Sequence, residues 1–116
     1  MIARFSFLRQ LLTLWSCHVI IWVMIRTFRD QEAELLFKRY VSRKIPLEIQ
    51  RVAMRKLWML DAAIDVKDLR TPPSNHLELL RGDRKGQYSI RINRQFRICF
   101  FWKSGHAYEV EIIDYH

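Results

Sequence analysis

Apolar and polar positions change their period along this chain, and each change predicts an element. Met24 to Phe28 alternates as a half-buried strand does. Asp30 then stands where a side chain can cap the free amides of a helix, with Glu32 and Glu34 near the positive end of its dipole. Leu35, Leu36 and Phe37 supply the apolar stripe of that helix. Pro46 suits the first turn of a second helix, where a missing amide hydrogen costs nothing. Ile49, Ala53, Leu57, Leu60 and Ile64 follow at helical spacing as its core face, and Arg51, Arg55 and Lys56 read as its solvated face. Thr71, Pro72, Pro73, Ser74 and Asn75 break any helix and form a connector.

Beyond the connector the period becomes two. Tyr88, Ile90 and Ile92 alternate with Ser89, Arg91 and Asn93, and Phe96, Ile98, Phe100 and Trp102 alternate with Arg97, Cys99 and Phe101. The segments Asn93-Arg94-Gln95 and Lys103-Ser104-Gly105 have hairpin length, and Tyr108 to Ile113 alternates again, so three strands form a meander. The fold class is α+β in the order β-α-α-β-β-β, with a further short strand around Leu77 to Leu80. Two helices pack on one face of the antiparallel sheet and leave the other partly open.

At 116 residues, 50% hydrophobic and 28% charged, the chain supports one compact domain. Three glycines, three prolines and a high aromatic content exclude a low-complexity or disordered chain. Cys17 and Cys99 are far apart and form no CxxC, so neither a disulfide framework nor a metal site is indicated, and a reducing cytoplasm fits. Residues 1–23 differ from the rest: Arg4 and Arg9 precede an uncharged run from Leu11 to Ile25. That run falls short of the roughly 20 apolar residues of a membrane span, and no small-x-small cleavage site follows it. The reading adopted is an apolar N-terminal extension (1–23), ahead of a start at Met24, followed by one domain (24–116). A membrane-anchored basic binding module is the competing reading.

Charge adds the first functional clue. Lys and Arg number 20 against 12 Asp and Glu, a net charge of +8, which suits phosphate, an acidic partner or an anionic membrane face. Arg81, Arg84, Lys85, Arg91, Arg94, Arg97 and Lys103 face only Asp83 in the same stretch, so basic charge concentrates on the sheet. Arg91 and Arg97 fall on the alternation that the helices do not cover. Such a face can pin phosphates bidentately, or can meet an acidic protein, and charge alone leaves both open.

Sequence motifs narrow the choice. The run Met24-Ile25 to Phe28, the loop Gly82 to Gly86 leading into Ser89-Ile90, the triplet Phe96-Arg97-Ile98 and the ending Asp114-Tyr115-His116 occur in order. Together they resemble HigB-type toxins of the RelE superfamily, the plasmid maintenance killer proteins of bacterial type II toxin-antitoxin pairs. The resemblance implies a RelE-like fold and a cytoplasmic endoribonuclease that uses no metal and no cofactor. It further implies cleavage of messenger RNA in the ribosomal A site, by attack of a 2′-hydroxyl on the adjacent phosphate. A helix-turn-helix antitoxin of HigA type is the implied protein partner, and a membrane partner is not. By the same resemblance Arg97 and Arg81 face the phosphate, and Tyr115 and His116 stack on a base or transfer a proton. Arg84, Lys85, Arg91, Arg94 and Asp114 are expected to contact RNA or ribosome. Many family members carry histidine four residues before the first loop glycine; here Glu78 stands there, as a candidate proton acceptor, with His76 on the same alternation. Some proteins of the superfamily poison DNA gyrase instead, a reading against which Tyr115 and His116 argue.

Overall fold

The computed structural model describes residues 25–114, so the extension, Met24, Tyr115 and His116 lie outside the described residues. Helix α1 (Gln31–Phe37) begins where its cap was expected: the Asp30 carboxylate accepts the Glu32 amide hydrogen. Helix α2 (Leu47–Ala62) follows Pro46, whose carbonyl accepts from the Ile49 amide. Strands β1 (Glu78–Leu79), β2 (Tyr88–Arg91), β3 (Phe96–Lys103) and β4 (His106–Asp114) form an antiparallel sheet in the order β1-β2-β3-β4.

The N-terminal strand is shorter than its alternation predicts. It survives as two parallel bridges to β4, Ile25 to Ala107 and Phe28 to Val110. The reason lies in β4, where a register shift opposite Cys99 and Phe101 and a left-handed Glu109 (φ 53°) interrupt a regular ladder. The amide of Glu109 turns instead to the Thr27 hydroxyl.

One face of the sheet is apolar and carries the helices. Ile90, Ile98 and Ile112 are cross-strand partners, and Phe100 stacks beside Tyr88 and edge-on to Trp102. Against them pack Ile49, Ala53, Leu57 and Leu60 of α2 and Leu36 of α1. Ile64 departs from the expected core stripe: α2 stops at Ala62 and Ile64 is 51% exposed. The Asp68 carboxylate accepts the amides of Ile64 and Asp65, closing a capping box that turns the chain away before the stripe can continue. Lys56 also departs from the solvated reading, since its ammonium bonds the side-chain oxygen of buried Asn75. Burial, and then the neighbouring Arg55, lower its pKa. Among the described residues no helix is long and apolar enough to cross a membrane.

The link between the helices is held by polar groups inside the fold. Buried Gln50 accepts from the Ser42 amide and donates to the carbonyls of Ser42 and Ile45. The Ser42 hydroxyl donates to Glu32 and accepts from the amides of Lys44 and Ile45. Gln50→Ala strands three backbone groups, so urea unfolding is expected to show a loss of about 2–4 kcal/mol, against less than about 0.5 kcal/mol for exposed Arg51→Ala. Equal losses in the two variants would contradict this role for Gln50.

Candidate active site on the open face of the sheet

The face opposite the helices is polar, as the alternation requires. Cross-strand register sets Glu78, Ser89, Cys99 and Glu111 in one row and Arg91, Arg97 and Ile113 in the next. The expected open basic surface is corrected in one respect: Arg97 is only 7% exposed. The segment His76 to Glu78 lies over it, because β1 adds to the edge of β2 and closes the side of the sheet.

The guanidinium of Arg97 has a fixed environment. Its Nε donates to the Ser89 hydroxyl at 2.7 Å, and one terminal nitrogen donates to the His76 carbonyl at 2.6 Å. The same nitrogen lies 3.1 Å from a carboxylate oxygen of Glu78, whose side chain is 54% exposed. His76 presents its carbonyl from a left-handed conformation (φ 44°), unusual for a residue with a side chain. That turn is anchored by Asn75, which is fully buried and donates to the carbonyls of Leu69 and Thr71 while accepting from Lys56.

These groups open onto a cleft of about 500 Å³. Arg97, Glu78, His76 and Leu77 line one part of it, and Arg91, Asn93 and Arg94 of the β2–β3 hairpin line the rest. The structure therefore gathers five of the residues singled out in the sequence, Arg97, Glu78, His76, Arg91 and Arg94. Arg91 donates from Nε to the Asn93 carbonyl, which fixes its direction across the hairpin. The other basic candidates lie off the cleft lining. Arg81 and Lys85 are exposed on either side of the turn Gly82–Arg84. Arg84 is engaged, 2.9 Å from Glu111 and bonded to Gln87, and so ties that turn to β4. Asp114 ends β4 opposite Phe96 and accepts from the Gln95 side chain at 2.9 Å. Tyr115 and His116 lie outside the described residues.

Cys99 sits buried between Arg84, Glu111 and Arg97. Burial pushes its thiol up to about 11, Arg84 and Arg97 oppose that shift and Glu111 adds to it, so at neutral pH it is a packed thiol and not a nucleophile. No group of three or more His, Cys, Asp or Glu among the described residues is gathered as a metal site. What the cleft offers is a held cation, an accessible carboxylate beside it and two further arginines at the rim. That set can bind a phosphodiester and accept a proton next to it.

Sequence reasoning singled out neither Asn75 nor the contact made by Ser89. A serine between Tyr88 and Ile90 in a strand is the available signal for the second; Asn75 after two prolines reads as turn chemistry.

Comparison with known proteins agrees with this architecture. The family described as "RelE-like toxin of type II toxin-antitoxin system HigB" matches residues 26–116. Toxin HigB-1 of Vibrio cholerae is 44% identical over 87 residues, which span 72% of this chain and 90% of that protein. Endoribonuclease HigB of Proteus vulgaris is 33% identical over 94 residues, spanning 80% of this chain and 100% of that protein. With its sheet, its two helices and a match that runs across all described residues but the first, the chain belongs to the HigB family of RelE-like toxins of type II toxin-antitoxin systems.

Proposed function

We propose that the chain is the toxin of a type II pair and a ribosome-dependent endoribonuclease that cuts messenger RNA in the A site. The observation that carries this reading is the buried Arg97 guanidinium beneath an open cleft, with the Glu78 carboxylate 3.1 Å away. The relative from Proteus vulgaris, named an endoribonuclease, supports the same chemistry. The protein works in the cytoplasm, and a HigA-type helix-turn-helix antitoxin holds it inactive.

The reaction needs neither metal nor cofactor. The 2′-hydroxyl oxygen of a ribose attacks its own 3′-phosphate, the bond from phosphorus to the 5′-oxygen breaks, and a cyclic phosphate and a 5′-hydroxyl end result. Arg97 faces the crowded phosphate and offsets the charge that builds on its oxygens, in a site where burial strengthens the interaction. Glu78 takes the 2′ proton. Arg91 and Arg94 hold flanking phosphates, with Arg81, Arg84, Lys85 and Asp114 contacting messenger or ribosome further out. Tyr115 and His116 follow Asp114 in the sequence. They stack on a base and return a proton to the leaving 5′-oxygen.

Mapping of new 5′ ends in a translating extract tests the reading. Cuts are expected only with ribosomes, and Arg97→Ala is expected to lower their rate by about 10²- to 10³-fold. Growth arrest without such cuts would sink the nuclease reading. If Glu78 accepts the proton, Glu78→Gln loses about 10²-fold or more, while Glu78→His retains cleavage and moves the acidic limb of the pH–rate profile up towards about 6.5. Wild-type rates in Glu78→Gln would remove Glu78 from the chemistry.

A further inference from the structure

Ser89 is a polar residue in a place that gives it no other purpose. It lies on β2 between Tyr88 and Ile90 and is fully buried, where a hydroxyl is costly unless it is hydrogen-bonded. An alanine there would keep the strand and avoid that cost. Its oxygen accepts from Nε of Arg97, eight residues away across the β2–β3 pair.

Three partners of Arg97 among the described residues fall into two kinds. Ser89 and the His76 carbonyl belong to buried or anchored backbone: one sits inside the sheet and the other is set by Asn75 and its bonds to Leu69, Thr71 and Lys56. Glu78 is different, more than half exposed on a two-residue edge strand, and can leave. A phosphate approaching through the cleft competes with Glu78 for the same guanidinium nitrogen. Without a second fixed bond, the long arginine side chain would follow whichever anion it meets.

We propose that Ser89 is a positioning residue for the reaction: with the His76 carbonyl it fixes the plane of the Arg97 guanidinium while Glu78 exchanges for phosphate. This rests on the nuclease reading given above. Loss of the hydroxyl leaves the charge in place and frees its direction, so transition-state contact falls more than binding of the messenger. Misplacement of about 1 Å at such a site can cost about 10²-fold.

Full-length wild type, Ser89→Ala, Arg97→Lys and the double variant would be compared for ribosome-dependent cleavage. In parallel the Nε–H resonance of Arg97 would be followed by 15N NMR, with its assignment from Arg97→Lys. Ser89→Ala is expected to lower kcat by about 10- to 100-fold with KM nearly unchanged and Tm lowered by a few degrees, because a buried donor loses its partner, and to add no further loss of kcat in the Arg97→Lys background. The Nε–H signal, slow to exchange in the wild type, is expected to exchange rapidly in Ser89→Ala. Wild-type kcat in Ser89→Ala, an equal loss on top of Arg97→Lys, or an unchanged Nε–H signal would each overturn the proposal. If the wild type makes no cuts, the nuclease reading fails, and the resonance still decides whether Ser89 orients Arg97.

Discussion

A guanidinium buried on the face of a sheet must be paired on several sides, because desolvating a charge is expensive and one exposed partner cannot compensate for it. Arg97 sets that condition here. Ser89 has to be a hydroxyl, His76 has to turn its carbonyl inward from a left-handed conformation, and β1 has to pair with β2 although it is only two residues long. The requirement runs further. The His76 turn depends on Asn75, and the buried Asn75 side chain accepts from the ammonium of half-buried Lys56 on α2. A single charge on the open face is thus tied to the helix layer behind the sheet.

The two faces of the sheet divide the work. Ile90, Ile98, Phe100 and Val110 join both helices into the core that holds the strands in register. The opposite rows, from Glu78 through Ser89, Cys99 and Glu111, carry the polar contacts. Arg84 is the link between loop and sheet: its bond to Glu111 holds the Gly82–Arg84 turn against β4, so a residue expected to touch RNA is engaged within the fold. The basic surface is therefore less uniform than the charge count implies. Arg91 and Arg94 line the cleft, where their charge can act at a distance on an approaching phosphate.

Much of the fold was legible because it rests on local signals. Asp30 and Pro46 marked helix starts, and the period of two from Tyr88 to Ile113 marked the meander. The misses come from contacts between distant segments. The N-terminal strand was cut to two bridges by an irregularity in β4, about eighty residues away in sequence. Ile64 kept helical spacing, but a capping box at Asp65 and Asp68 ended the helix first. In the cleft, residue types and motif singled out Arg97 and Glu78, which the fold brings together, yet nothing local could reveal that Arg97 is buried or that Ser89 and the His76 carbonyl hold it. Burial of a charge depends on what the fold lays over it, here a segment some twenty residues earlier in the chain.

The central claim is that the messenger phosphate meets Arg97 at the floor of this cleft. The most direct measurement is a structure of the full-length protein on a ribosome programmed with a messenger carrying a 2′-O-methyl ribose at the A site, which blocks attack. The account predicts the adjacent phosphate within hydrogen-bond distance of the Arg97 guanidinium, with Glu78 turned from that nitrogen towards the 2′-oxygen. A protein bound with this cleft turned away from the messenger, or with Arg97 still paired to Glu78 and no phosphate nearby, would contradict it.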